Sequence, residues 1–178
     1  MYIVTGGAGF IGSAMIWKLN RMGIDDILVV DNLASSEKWH NLVNRKFTDY
    51  LHRDEFWKIL DENRLHREID GIIHLGACSA TTERNVDFLM HNNVKYSELL
   101  CRRAMERGVR FINASSAATY GDGSMGFSDS VETAVRLRPL NAYGWSKQLF
   151  DMWAHREGRL SSIASVKFFN VYGPNEYH

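Results

Sequence analysis

The hydrophobic residues of this chain fall into short continuous runs, which are separated by longer stretches where hydrophobic residues recur at helical spacing. Apolar runs of about four to eight residues are typical of strands that are buried in a parallel sheet. We therefore predict buried strands at 2–5, 26–31, 71–77, 110–116 and 163–170, and a less regular strand at 46–51.

The longer stretches predict helices at 10–22, 53–66, 84–107 and 143–157. Strands and helices that alternate in this way form right-handed βαβ crossovers, which place helices on both faces of a parallel sheet. The pattern predicts a doubly wound α/β sheet, the Rossmann fold. The longest irregular stretch, 121–140, should form part of a site wall, because ligand-contacting loops follow the strands of such sheets.

Composition and charge narrow the classes of partner. Of the 178 residues 45% are hydrophobic, and the 21 basic and 21 acidic residues cancel. A neutral chain has no overall field that attracts nucleic acid or an anionic membrane, so neither partner is favoured. Because no apolar stretch approaches the ~18 residues of a membrane span and the first residues lack a signal-peptide pattern, we expect a cytoplasmic protein.

The cysteines and histidines form no pattern that predicts a metal site or a disulfide. Cys78 and Cys101 are the only cysteines, and neither has histidines at the spacing of a zinc site. The seven histidines, of which His178 is the last, show no close cluster. We therefore expect no bound metal and two reduced thiols.

A glycine-rich segment, VTGGAGFIGS, links the first predicted strand to the first predicted helix. Gly7, Gly9 and Gly12 fit the spacing G-x-G-x-x-G, and Gly6 with Gly9 and Gly12 fits G-x-x-G-x-x-G. Such glycines make a tight turn, let the backbone approach a pyrophosphate and let the helix pack closely on the strand. Because the helix N-terminus attracts phosphate, the segment predicts a dinucleotide site.

The residues after the second strand bear on the choice of dinucleotide. Asp31 ends that strand about 20 residues after Gly12, where an acid usually accepts the ribose hydroxyls and indicates NAD. Lys38 and Arg53 are able to bind a 2′-phosphate, which would indicate NADP, unless both are solvated surface charges. Spacing alone leaves NAD and NADP open.

Three polar residues in the second half of the chain predict proton transfer. Tyr143 and Lys147 are four residues apart in a predicted helix and so share one face of it. A phenol has a pKa near ~10, and a close ammonium favours the phenolate, so the pair can serve as an acid/base. Ser116 ends the strand 110–116, where its hydroxyl could hold a substrate oxygen. Alone, such a pair is usually a surface pair and such a serine a cap; their order after the glycine loop favours chemistry.

The motifs together resemble a known family. TGGAGFIGS, ASSAATYG, YGWSK and FFNVYGP resemble the extended short-chain dehydrogenase/reductases that act on nucleotide sugars. VVDNL with the following Lys38, GACSATTE, MHNNVKYS and RPLNAYGWSK are similar, more narrowly, to the ADP-L-glycero-D-manno-heptose 6-epimerases of that family. The resemblance extends over the whole chain and favours NADP over NAD.

The resemblance implies roles for further residues. Tyr143, Lys147 and Ser116 would be catalytic, and Ser116 and Asn170 would hold the substrate. Lys147 and Val171 would also contact the nicotinamide end of the cofactor. The remaining cofactor-binding residues implied by the resemblance are Gly6, Gly9, Phe10, Ile11, Gly12, Asp31, Asn32, Lys38, Arg53, Leu75, Gly76, Ala77, Cys78, Ser79 and Asn92.

The implied reaction is redox-neutral epimerisation at carbon 6 of a nucleotide-linked heptose, which serves lipopolysaccharide synthesis. A hydride leaves carbon 6 for the cofactor and returns to the other face. Members of the family carry a second acid/base lysine one position after GPNEYH, beyond His178. We therefore expect residues 1–178 to be the cofactor domain of a homo-oligomeric enzyme whose smaller C-terminal substrate domain is largely absent.

Several alternatives remain open from the residues alone. A UDP-hexose 4-epimerase would share the glycine loop, Ser116, Tyr143 and Lys147, and a reductase would turn over NADPH. A 4,6-dehydratase is disfavoured because Ala117 and Ala118 stand where it needs an acid pair. A non-catalytic dinucleotide-binding module would keep the glycine loop and lose the tyrosine-lysine pair.

Overall fold

A computed structural model describes residues 1–174 of the chain. Its six strands are close to those predicted, because five coincide with apolar runs and the third overlaps the less regular stretch 46–51. They are β1 (Tyr2–Thr5), β2 (Ile27–Asp31), β3 (Asp49–His52), β4 (Gly71–His74), β5 (Arg110–Ser116) and β6 (Ile163–Phe168).

The helices alternate with these strands. The α-helices are α1 (Phe10–Arg21), α2 (Arg53–Asp61), α3 (Val86–Leu89), α4 (Tyr96–Glu106), α5 (Val131–Ala134) and α6 (Ala142–Arg156). Two 3₁₀-helices cover Glu37–Leu42 and Ala117–Tyr120, and a π-helical segment covers Met90–Lys95. None of the helices among residues 1–174 has the length and apolar character needed to cross a membrane.

The six strands form one parallel sheet in the order β3-β2-β1-β4-β5-β6. The chain steps outward from β1 to β3 and then returns to pair β4 with β1, so the strand order reverses at the β1–β4 neighbours. This order is that of the doubly wound dinucleotide-binding fold, and the reversal is where such sheets bind ligands. The predicted fold class is confirmed.

The chain folds into two compact units. Among the described residues, the first unit comprises 1–76, 103–111 and 171–174. Its core packs one face of α1 against β1 and β2, because α1 places hydrophobic residues at intervals of about one turn on that face. The buried members of this cluster are Val4, Ala8, Ile16, Leu19, Ile27, Val29, Leu42 and Ile73.

The second unit comprises 77–102 and 112–170. Helix α6 lies at its centre and packs against α3, the π-helical segment and the 3₁₀-helix Ala117–Tyr120. The side chain of Asn141 caps α6 by accepting the N–H of Gly144 at 2.7 Å, and His155 and Arg156 lie in its last turn, where cations favour the helix dipole. The sequence around α6 therefore specifies both ends of the helix.

Several element boundaries differ from the prediction for local reasons. The helix predicted at 53–66 ends at Asp61, because Asn63 adopts a positive φ of 51° and Arg64 closes the C-terminal turn on Ile59. The helix predicted at 84–107 is interrupted by the π-helical segment. The stretch 121–140 contains the short helix α5.

Candidate active site

The glycine loop leads into the start of α1, where backbone N–H groups are free to contact a ligand. Helix α1 begins at Phe10 with Gly9 as its N-cap, and no side chain caps its first turn. The N–H groups at the start of a helix have no partner inside the helix, so those of Phe10 and Ile11 suit phosphate oxygens. A Cβ on Gly12 would lie 2.0 Å from the carbonyl oxygen of Gly6. The loop therefore tolerates only glycine at residue 12, and its shape fits the predicted pyrophosphate.

The carboxylate of Asp31 is buried at the end of β2, where it accepts hydrogen bonds from three groups of the chain. Its Oδ2 accepts the N–H of Ala8 in the glycine loop at 2.9 Å. Its Oδ1 accepts the N–H of Asn32 at 2.7 Å and pairs with the ammonium of Lys38 at 2.8 Å. Lys38 is thus not merely a solvated surface charge, and most of the acceptor capacity of Asp31 is taken by the chain itself.

Asn32, His52 and Arg53 lie beyond the ends of β2 and β3. The register of the two strands pairs Asp31 with His52. Oδ1 of Asn32 lies 3.3 Å from Nε2 of His52, and Arg53 begins helix α2 with an ion pair to Asp54 at 3.3 Å. His52 was not identified from the sequence. The available signal was its position directly before a helix whose first turn is acidic, which is where a cap residue lies.

Leu75 and Gly76 follow β4 directly against the glycine loop. The N–H of Gly76 donates to Oγ1 of Thr5 at 3.1 Å, and a Cβ on Gly6 would lie 2.7 Å from the nitrogen of Gly76. The first unit therefore brings together the glycine loop, Asp31, Asn32, Lys38 and the start of the segment 75–79. Val171 also belongs to this unit and is half-exposed.

Ser116 ends β5 in the second unit and is buried. Its Oγ accepts the N–H of Ala118 at 3.1 Å and so caps the 3₁₀-helix Ala117–Tyr120. A hydroxyl both accepts and donates, and no residue in the described part of the chain accepts the proton of Ser116. The cap role therefore leaves the hydroxyl able to donate to a substrate oxygen.

Tyr143 and Lys147 lie one turn apart at the start of α6. The ammonium of Lys147 donates to the carbonyl oxygen of Ala114 in β5 at 2.7 Å, and its side chain is only 4% exposed. Tyr143 is partly exposed. A Cβ on Gly144 would lie 2.7 Å from the carbonyl oxygen of Ala118, so this glycine lets α6 approach the turn that follows Ser116.

The electrostatic environment of Lys147 is unusual for a lysine. Burial lowers the pKa of its ammonium to about 8, and the negative charge of Asp151 opposes this shift. A lysine whose pKa lies near the working pH can hold or lose its proton with little cost. Perturbed pKa values of this kind cluster at functional sites.

Asn93 joins the segment 77–79 to helix α6. It lies in the π-helical segment, where it is fully buried, and its Oδ1 accepts the N–H of Cys78 at 2.9 Å and the amide of Asn92 at 2.9 Å. Its Nδ2 donates to the carbonyl oxygen of Cys78 and to Oγ of Ser146, at 3.0 and 3.1 Å. Ser146 in turn donates to the carbonyl oxygen of Tyr143 at 2.7 Å. Asn93 was not identified from the sequence, whose prediction stopped at its neighbour Asn92.

A second buried network surrounds Asp151, one turn after Lys147. Its carboxylate accepts hydrogen bonds of 2.6 Å from Ser115 and from Ser165, and one of 2.9 Å from the ammonium of Lys167. Lys167 also donates to Oγ1 of Thr119 at 2.9 Å. This network was not predicted from the sequence, although a lysine within the apolar run 163–170 indicated a buried cation that requires a partner.

The stretch 121–140 lines a cleft of ≈ 450 Å³ in the second unit. Phe127, Asp129 and Val131 face Lys167 and Phe169 across it. The stretch therefore lines a cleft, but none of the predicted catalytic residues lines it, so its role as a site wall stays a prediction. Asn170 is exposed directly after Phe169, and Ser79 is likewise exposed.

The remaining predictions concern metal ligands and thiols. Within residues 1–174, no three of the potential ligands His, Cys, Asp and Glu come together as a metal would require. His178 lies outside the described residues. Cys78 and Cys101 are both free thiols, and Cys101 is fully buried.

Comparison with known proteins identifies close relatives. ADP-L-glycero-D-manno-heptose-6-epimerase of Nitratidesulfovibrio vulgaris (strain DP4) is 70% identical over all 178 residues. The chain spans about half the length of this curated relative, 55%. The solved structure of ADP-L-glycero-D-manno-heptose-6-epimerase from Helicobacter pylori matches 99% of the chain, and 56% of its own chain, with a TM-score of 0.82 and 27% identity.

A solved UDP-glucose 4-epimerase from Thermotoga maritima, in complex with UDP-glucose, has a similar fold. It matches 98% of the chain, and 57% of its own chain, with a TM-score of 0.79 and 28% identity. The relatives from Nitratidesulfovibrio vulgaris and Helicobacter pylori carry the name of the enzymes that the motifs resemble. Residues 2–178 match the model of one sequence family. The chain belongs to the NAD dependent epimerase/dehydratase family.

Proposed function

We propose that this chain carries the cofactor-binding and proton-transfer residues of an enzyme that converts ADP-D-glycero-D-manno-heptose to its L-glycero epimer at carbon 6. The observation that carries the proposal is the position of Lys147, buried and hydrogen-bonded to β5, one turn after Tyr143. A module that only binds a dinucleotide has no use for a buried lysine beside a tyrosine. The 70% identity to a relative with this activity in its name supports the substrate.

Each residue has a role in the proposed reaction. Tyr143 exchanges a proton with the hydroxyl on carbon 6, while Ser116 donates a hydrogen bond to the same oxygen. Lys147 places a positive charge near the phenol and favours its ionised form. A bound nicotinamide dinucleotide would supply the transient oxidation of carbon 6 and its reversal, so no net redox change would occur.

NADP is the proposed cofactor. The glycine loop fits the pyrophosphate of either dinucleotide, because it presents uncapped N–H groups of α1. Asp31 would accept hydrogen bonds from the ribose hydroxyls of NAD, but Ala8, Asn32 and Lys38 already occupy most of its acceptor sites. Lys38 keeps two of its three N–H donors for a phosphate. This donor set supports NADP.

A UDP-hexose 4-epimerase remains the second candidate, because the UDP-glucose 4-epimerase of Thermotoga maritima shares the fold at 28% identity. The much higher identity to the heptose epimerase favours the first candidate. A role in lipopolysaccharide synthesis, a cytoplasmic location, homo-oligomers and the assignment of residues 1–178 to a cofactor domain without a substrate domain stay predictions.

The experiment that tests the proposal has two stages. The purified chain is denatured and any released nucleotide is identified by chromatography, and NADP in near-equal ratio is expected. A protein of the relatives' full length that contains this chain is then incubated with NADP and ADP-D-glycero-D-manno-heptose, and the epimers are separated and quantified.

Formation of the L-glycero epimer without a change in NADPH absorbance is expected. A stoichiometric rise in NADPH absorbance would indicate an oxidoreductase with net oxidation of the substrate instead. The variant Tyr143→Phe keeps the ring and removes the hydroxyl, so it should bind NADP normally and give no epimer; retained epimerisation would remove Tyr143 from the mechanism.

A further inference from the structure

Two polar residues meet where β2 and β3 end. Oδ1 of Asn32, the residue after β2, lies 3.3 Å from Nε2 of His52, the last residue of β3. The register of the two strands makes this contact, because it places Asp31 directly beside His52. The contact determines which end of the Asn32 amide is left for a ligand.

Helix α2 determines the tautomer of His52. The ring nitrogen Nδ1 accepts the N–H of Asp54 at 3.2 Å, and His52 is thereby the N-cap of the helix. A nitrogen that accepts a hydrogen bond carries no proton, so the proton of the neutral ring is on Nε2. Nε2 therefore donates to Asn32, and the atom of Asn32 that faces it is the carbonyl oxygen.

The amide of Asn32 is therefore left with its NH₂ group for a ligand. This group offers two donors and no acceptor, and no residue among 1–174 accepts a hydrogen bond from it. Lys38 is nearby on Asp31 and adds a positive charge. The oxygens of Asp31 are taken by three donors of the chain. The end of β2 is thus rich in free donors and poor in free acceptors.

A site with many free donors and few free acceptors distinguishes NADP from NAD. The 2′-phosphate of NADP offers only acceptor oxygens and negative charge at neutral pH. The 2′-hydroxyl of NAD also has a proton to donate, and a site with few free acceptors pairs that proton poorly. An outward NH₂ group on Asn32 therefore favours NADP, whereas the reversed amide would present an oxygen to the phosphate.

We propose that His52 is a positioning residue for cofactor selection: it holds the amide of Asn32 with its NH₂ group toward the ligand and so favours the 2′-phosphate of NADP over the 2′-hydroxyl of NAD. This inference rests on the proposed cofactor site. It adds to that site a residue that acts through Asn32 and caps α2 at the same time.

The test is the ratio of the dissociation constants for NAD⁺ and NADP⁺, measured by titration calorimetry on the whole chain. In His52→Asn, the new side chain retains an oxygen that can accept the N–H of Asp54 and cap α2. It is too short to replace the contact of Nε2 with Asn32. We expect the preference for NADP⁺ to fall about three- to tenfold, the value of one typical hydrogen bond. The thermal midpoint should stay close to that of the wild type because the cap is kept.

A double-mutant cycle separates positioning from a general structural effect. If His52 acts through Asn32, then His52→Asn should leave the ratio unchanged when Asn32→Ala is already present. An equal loss of affinity for both dinucleotides, or the same change of ratio in both backgrounds, would overturn the inference.

Failure of the inference is distinguishable from failure of the proposed function. If the wild-type chain prefers NADP⁺ and the His52→Asn variant shows the same preference, only the role of His52 is overturned. A wild-type chain that binds neither dinucleotide would overturn the proposed cofactor site, and the role of His52 with it.

Discussion

The ammonium of Lys147 donates a 2.7 Å hydrogen bond to the carbonyl oxygen of Ala114, two residues before Ser116. This bond holds the lysine against β5 and away from water, whereas a lysine on a helix surface would extend into solvent. The structure thus excludes the surface-pair interpretation of the Tyr-x-x-x-Lys spacing, and the catalytic role of the pair stays a prediction. The spacing is compatible with a surface pair, but the burial of Lys147 is not.

The buried lysine should make stability depend on pH. Burial lowers the pKa of Lys147 to about 8 from its ordinary 10.5, so between these values the unfolded chain binds more protons than the folded chain. The free energy of unfolding should therefore rise with pH across this window, by up to about 3 kcal/mol relative to Lys147→Met. Urea unfolding of both proteins at about pH 7.5 and pH 10 measures the difference. An identical pH dependence in the two proteins would contradict the assigned burial.

Removing one partner of the ion pair between Asp151 and Lys167 should destabilise the folded chain. Lys167→Met leaves a buried carboxylate with only hydroxyl partners, and we expect the free energy of unfolding to fall by about 2–4 kcal/mol. Removal of both charges in Asp151→Asn with Lys167→Met should cost less than the sum of the single changes, because no charge stays buried without its partner. Lys167→Arg is the matched control that retains the charge. Additive losses in urea unfolding would show that the pair does not interact.

Gly12 should be essential for the glycine loop. In Gly12→Ala the new Cβ would lie 2.0 Å from the oxygen of Gly6, so the loop must shift and dinucleotide affinity should fall at least about tenfold. Gly108→Ala is the control: its Cβ meets nothing within 4 Å, and its positive φ of 65° makes it a test of backbone strain alone. Calorimetric titration with NADP⁺ measures both variants, and we expect normal affinity in Gly108→Ala. Equal affinities in all three proteins would contradict the close approach.

The two thiols should differ in reactivity. Cys101 is fully buried, and burial raises the pKa of its thiol to about 11, so almost no thiolate is present near neutral pH. Cys78 is partly exposed. A thiol-specific chromophoric reagent at about pH 8 should therefore modify one cysteine of the folded chain and two after unfolding. Rapid reaction of both cysteines in the native protein would contradict the burial of Cys101.

Much of the fold and part of the site could be predicted from local pattern. Apolar runs located five of the six strands, and the less regular stretch 46–51 overlapped the sixth. The glycine spacing located the loop before α1, because burial and turn formation leave periodic signals in neighbouring residues. Asp31 could be placed at the carboxyl edge of the sheet since it ends a parallel strand, and such ends share one edge of the sheet. The helix 84–107 was predicted without its π-helical segment, because the amphipathic pattern is similar with or without one extra residue in a turn.

The sequence by itself determined the strand and helix order, the glycine loop, and the candidate residues Ser116, Tyr143 and Lys147. Only the tertiary structure decided which partner each polar group takes. Asn93 pairs with Cys78, fifteen residues away along the chain, and Asp151 with Ser115, thirty-six away. The physical reason is that hydrophobic burial follows a short period along the chain, whereas a buried polar atom is satisfied by whichever group the fold brings within hydrogen-bonding distance.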